Sequence, residues 1–107
     1  MEKVIRDGKV AVLLSGDWGA AWSTWFSEGR REVLMFHPKI VAMVEEGRHN
    51  EITTTWIEKE IGLKDVYTGG VKGLYIEWVP VGTKFYIDEY DGNESLITFD
   101  NMTWITA

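Results

Sequence analysis

The chain contains no cysteine, two prolines, two histidines and no apolar run of 18 residues. Without cysteine there are no disulfides, no thiolate nucleophile and no cysteine-based zinc site, which fits a reducing cytoplasmic compartment. Without a long apolar run there is no candidate transmembrane helix, and no membrane partner is expected. The opening residues MEKVIRDGKVAVLL carry Glu2 and Asp7 and lack an extended apolar core, so a signal peptide is not expected. His37 and His49 are the only imidazoles, and neither stands in a His-x-x-x-His spacing, so no metal and no cofactor are expected. Gly-x-Ser-x-Gly, the Gly-Lys-Ser/Thr of a phosphate loop and the spacing of an EF-hand are all missing. An enzyme is therefore the weaker expectation, and no catalytic residue is assigned.

Cations are also scarce: 11 Lys and Arg stand against 17 Asp and Glu, a net charge of −6. Residues 1–50 are balanced, so the whole excess lies in residues 51–107, with Asp88, Glu89, Asp91, Glu94 and Asp100 close together. A duplex nucleic-acid binder needs several cationic phosphate contacts on one face, and this chain does not offer them. Local cations can still dominate a pocket for a small anion.

The 107 residues fit one domain, 1–107. Asp7-Gly8 between apolar stretches is a two-residue hairpin signal. Val10–Leu14 is apolar throughout and reads as a central strand covered on both faces. Ser15–Gly29 reads as an ordered loop with a short helical turn, and Glu32–Phe36 as a second apolar strand. Pro38 opens a helix with Ile40, Val41, Met43 and Val44, closed by Gly47. A second helix starts from Asn50 as N-cap and runs through Ile52, Trp56, Ile57 and Ile61 to Gly62. Strands follow at Leu74–Val79, Lys84–Tyr90 and Ser95–Phe99, the last two joined by an Asp91-Gly92-Asn93 turn, with a final short strand at Trp104-Ile105. Glu77 and Trp78 must face opposite ways, and an inward Glu77 would need an arginine partner from the first half. The pattern predicts an α+β domain, a mostly antiparallel sheet with two helices on one face.

The segment Ser15–Trp25 carries the most chemistry. Its small residues let backbone approach a ligand, and consecutive amides can cradle an anion. Ser23 and Thr24 supply hydroxyl donors, and Trp18, Trp22 and Trp25 supply flat faces for a base. Core packing beneath a tight loop is the competing reading for these indoles. Arg30 and Arg31, the only adjacent basic pair, suit phosphate or carboxylate. Tyr67 and Thr68, before Gly69-Gly70, form a second candidate wall. The expected ligand is a small anionic, nucleotide-like molecule. The alternative is a basic partner protein docked on the acidic second half in the manner of a DNA mimic. Six tryptophans exceed what one small core readily hides, so a homo-oligomer is expected.

Five segments together carry a resemblance: Asp7-Gly8-Lys9-Val10-Ala11-Val12, Gly19-Ala20-Ala21-Trp22-Ser23-Thr24-Trp25, Tyr67-Thr68-Gly69-Gly70, Ile76-Glu77-Trp78-Val79-Pro80 and Tyr90-Asp91-Gly92-x-Glu94-Ser95. The chain resembles a group of small bacteriophage and prophage proteins with a "GAGWSTW"-like segment and no assigned activity. It departs from them at Ala20-Ala21, where Ala-Gly is the group's pattern. The resemblance implies a phage accessory protein in the bacterial cytoplasm that binds and neutralises a host component, nucleotide immune signals among the options. It implies no catalytic residue.

Overall fold

In the computed structural model, which describes residues 2–98 and Ala107, eight regular elements follow in the order ββαααβββ. Strands β1 (Ile5–Arg6) and β2 (Lys9–Ser15) pair through a turn whose Asp7 and Gly8 have φ of 51° and 74°. Two consecutive positive φ values define the turn that matches strand twist, which is why Asp-Gly occurs there. Strand β3 (Leu74–Pro80) lies antiparallel on the other side of β2, completing a sheet of order β1-β2-β3. Ala11, Val12, Leu13 and Leu14 of β2 are fully buried. Ala11 and Leu13 face one cluster, with Leu34, Ile40, Val41 and Ile57, while Val12 and Leu14 face another, with Met35, Phe36 and Leu96. The central strand is covered on both faces, as its unbroken apolar run predicts.

The helices correct two expectations. Glu32–Phe36 is the end of helix α1 (Glu28–Phe36), not a strand. A five-residue apolar run fits either element, and here Ser27 at the N-cap and Glu28 in the first turn begin a helix upstream. Helix α2 (Pro38–Glu45) starts at its proline and ends at Gly47, φ 70°. There the Gly47 amide bonds the Val44 carbonyl and the Arg48 amide the Met43 carbonyl, closing the last turn. Helix α3 (Thr54–Glu60) is capped by Thr53, whose hydroxyl accepts from the Trp56 amide at 3.1 Å. Asn50 instead sits in a short 3-10 turn, His49–Glu51. Among the described residues there are therefore three α-helices where two were expected.

Strands β4 (Phe85–Tyr90) and β5 (Asn93–Thr98) form a separate antiparallel hairpin, again turned by a positive-φ pair, Asp91 and Gly92. They do not extend the first sheet. Pro80 and Gly82 (φ 87°) end β3, and the hairpin lays Phe85, Ile87 and Leu96 over Val12 and Leu14. The fold is α+β with wholly antiparallel pairing among the described residues. Phe99, at the end of the expected last hairpin strand, and the expected strand at Trp104-Ile105 lie outside the described residues. Of the Glu77–Trp78 pair it is Trp78 that packs on the helix-side cluster. The Arg6 guanidinium lies 5.3 Å from its ring centroid and pairs with Glu45 of α2, not with Glu77.

His37, between α1 and α2, gives the fold a pH dependence. Its Nδ1 accepts from the Lys39 amide at 3.1 Å, capping α2, and this acceptor exists only on the unprotonated nitrogen. Burial, and then the charge of Lys39, lower its pKa below the ordinary histidine value, while Glu2 opposes them. A lowered folded pKa means that the unfolded chain binds the proton first. The cap's contribution is thus complete above the ordinary value near 6.5 and is lost as pH falls through the folded one. Urea unfolding at pH 7 and pH 5 is expected to show a loss, smaller than the ~1 kcal/mol of a whole N-cap because the site is largely exposed, that His37→Asn, which keeps a cap acceptor, largely removes. Equal losses in the two proteins would contradict this role.

Candidate functional site

The hairpin β4–β5 turns its inner face, residues 85, 87, 89, 94, 96 and 98, toward the sheet and the loop after β2. By that parity Glu94 points inward beside Leu96, and it is 1% exposed. A buried carboxylate is costly unless hydrogen bonded. The loop from Ser15 to Thr24 wraps it with four donors. The Ser15 amide reaches Oε1 at 2.8 Å. The Trp22 amide (3.1 Å), the Thr24 amide (3.0 Å) and the Thr24 hydroxyl (2.6 Å) all donate to Oε2. Backbone amides converging on an anion form a cradle of the kind expected from this loop's composition. Its anion is the protein's own Glu94.

The rest of the loop is clamped from both sides. Ser15 Oγ donates to the Ala20 carbonyl at 2.7 Å, closing the loop on itself. Asn93 Nδ2 donates to the Gly16 carbonyl at 2.9 Å, and the Gly19 amide bonds the Asp91 carbonyl. At Gly92 (φ 86°) a Cβ would strike the Ala20 backbone, so only glycine lets the hairpin tip seat against the loop. On the other side Gly16 bonds the Gly73 carbonyl at 2.9 Å, and Gly70 lies against the Ala20 and Ala21 carbonyls. The two glycine-rich segments, 15–25 and 67–73, therefore meet. Tyr75 donates to the Glu94 carbonyl at 3.4 Å. Burial first, and then the charges of Glu77 and Glu94, raise its phenol above the ordinary value and keep it a donor.

The candidate residues do not share one site. Trp22 and Ser23 are fully buried, which corrects the expectation that they stack or bond a ligand. Trp22 fills the helix-side core, and its Nε1 donates to the Leu34 carbonyl at 2.7 Å. That carbonyl lacks a helical partner because the residue four positions on is Pro38, which has no N–H. Ser23 Oγ has no partner among the described residues. Thr24 is committed to Glu94 and to one wall of a groove. Trp25 and Tyr67, both exposed, stack at 5.9 Å and 27°, and Trp25 Nε1 donates to Glu89 at 3.0 Å. Trp18 stands apart at 66% exposure, edge-on to Tyr90 at 6.0 Å. Thr68 accepts from the Val71 amide through its carbonyl.

The arginines diverge. Arg30 donates to the Lys64 carbonyl at 2.7 Å, away from the loop. Arg31 Nη2 donates to the carbonyls of Thr24 (3.3 Å) and Phe26 (3.1 Å), while its Nε is buried without an acceptor. Arg31 also lines a half-open groove of about 710 Å3 between α1 and β4. The helix contributes Glu28, Arg31, Glu32 and Met35, a stripe at helical spacing, and β4 contributes Phe85, Tyr86 and Ile87. Lys3 and Phe36 complete a wall, with Lys3 Nζ 4.5 Å from the Phe36 ring centroid.

Sequence reasoning did not single out Lys3, Phe36, Phe85 or Tyr86, and it gave Glu94 no inward role. For Glu94 a signal was present: it has the same parity as Leu96 after a two-residue turn, on the apolar face. Among the described residues no group of three or more His, Asp and Glu is placed to hold a metal ion. Comparison with protein-family models, curated proteins and solved structures finds no match to this chain.

Proposed function

We propose that this chain is a non-enzymatic binding module for a small anionic, nucleotide-like molecule, taken into the groove between α1 and β4. The observation that carries the reading is the lining of that groove, where the cations Lys3 and Arg31 stand beside Phe36, Phe85 and Tyr86. Its volume of about 710 Å3 falls within the usual range of ligand pockets. Phosphate or carboxylate is met by Lys3 and by Arg31, whose guanidinium is already held through Nη2 and has a buried Nε in want of an acceptor. The aromatic side chains offer a flat base an apolar surface. Glu28 and Glu32 accept from the exocyclic amines such a base carries. With the loop's amide cradle occupied by Glu94, the groove is the better place for an external anion. In a phage-type accessory protein, such a site would sequester a host nucleotide signal.

Isothermal titration with a panel of mono-, cyclic and dinucleotides tests this. At least one member is expected to bind, and Lys3→Glu or Tyr86→Ala to weaken it about tenfold or more with the melting temperature unchanged. A panel without a binder, or affinity indifferent to both changes, would overturn the groove reading. The hairpin tip favours a second reading, docking on a basic host protein, because Trp18 and Tyr90 stand exposed beside Asp91. That reading calls for salt-sensitive capture which Tyr90→Ala abolishes.

A further inference from the structure

Among the described residues, strand β3 is an edge strand of the three-stranded sheet. Which of its backbone groups face outward follows from the pairing phase. The Ala11 amide donates to the Val4 carbonyl on the β1 side, so the Ala11–Trp78 pair is not hydrogen bonded. At the far end Gly16 donates to Gly73, which sets the same phase. Tyr75, Glu77 and Val79 therefore turn their N–H and C=O groups to β2, and Leu74, Ile76, Trp78 and Pro80 turn theirs outward.

The two ends of this outer edge are closed. His49 Nε2 donates to the Leu74 carbonyl at 2.9 Å. Pro80 has no N–H, and its carbonyl accepts from the Thr83 amide at 3.0 Å. Between them the N–H and C=O of Ile76 and Trp78 have no backbone partner among the described residues. These four groups form a short, bounded ladder ready for one more strand.

Glu77, between them, selects the strand. A second copy paired two-fold in the register that uses all four groups sets Glu77 directly against its own counterpart. Like charges facing each other across strands are unfavourable. Glu77 makes no ion pair among the described residues. We infer that the outer edge of β3 is a strand-addition site for an extended segment of a partner protein, antiparallel to β3 and carrying Lys or Arg opposite Glu77. β-Branched or other apolar residues flank that cation, opposite Ile76 and Trp78.

Amide exchange and 1H–15N titration of the full chain test this. In the protein alone, the Ile76 and Trp78 amides are expected to exchange fast while Tyr75, Glu77 and Val79 are protected. An acetylated seven-residue peptide of alternating Val and Thr with a central Lys is expected to shift and protect Ile76 and Trp78. The same peptide with a central Glu should bind about two- to fivefold more weakly, and Glu77→Lys should invert that preference. Four results would overturn the proposal. These are no shift at either amide up to millimolar peptide, shifts indifferent to the central charge, a dimer in which the two amides are already protected, or their protection in the monomer.

Discussion

Glu94→Ala is expected to cost about 4 kcal/mol or more, enough to leave much of the protein unfolded at 37 °C. The substitution strands the amides of Ser15 and Trp22 in a buried site, and the amide and hydroxyl of Thr24 in a part-buried one. Each stranded donor costs about 1–3 kcal/mol. A domain of this size has a total stability of about 5–15 kcal/mol, so the loss is a large fraction of it. Glu94→Gln separates charge from shape. Its amide oxygen can still serve one side of the cradle, but its NH2 group meets donors on the other, so a cost between wild type and alanine is expected. Urea unfolding followed by circular dichroism measures both. An alanine variant within 1 kcal/mol of wild type would show that the loop does not depend on this carboxylate.

The second large effect is at Trp22. Trp22→Ala is expected to cost about 3–5 kcal/mol, the usual range for truncating a buried aromatic side chain. The indole is fully buried, and its N–H serves the Leu34 carbonyl that Pro38 leaves without a helical partner. Trp22→Phe keeps most of the volume and removes that donor, so about 1–3 kcal/mol of the loss should remain. If Trp22→Ala instead leaves stability intact and abolishes ligand binding, the indole faces a ligand and not the core.

The contrast between those outcomes shows where reading residues in order succeeds. Both hairpins were legible because Asp7-Gly8 and Asp91-Gly92 demand positive φ, a requirement that acts locally. The start of α2 at Pro38 and its end at Gly47 are local in the same sense. Glu32–Phe36 reads equally as strand or helix because its five residues carry no period of their own. What makes them helical lies upstream, at Ser27 and Glu28. The splitting of the last two strands into a separate hairpin was not legible either, since it depends on which apolar face is left to cover Val12 and Leu14.

The candidate site divides the same way. The composition of Ser15–Trp25 suits backbone amides to converge on an anion, because small residues leave successive amides open. It could not say which anion fills it. The partner, Glu94, stands 70 residues beyond Thr24, and only the packed hairpin brings them together. Arg30 and Arg31 looked like one basic pair, but adjacent residues on a helix diverge, and they do so here. Lys3 and Tyr86, from opposite ends of the chain, reach the groove only through the fold.

The central claim is that the loop's cradle is closed by the protein's own carboxylate and that an external anion is received in the groove beside it. A 1H–15N titration of the whole protein with nucleoside monophosphates tests this most directly. Shifts concentrated at Lys3, Arg31, Phe85 and Tyr86, with the amides of Ser15, Trp22 and Thr24 unmoved, are the expected result. Shifts centred on those three amides would mean that the ligand displaces Glu94 and that the cradle itself is the binding site.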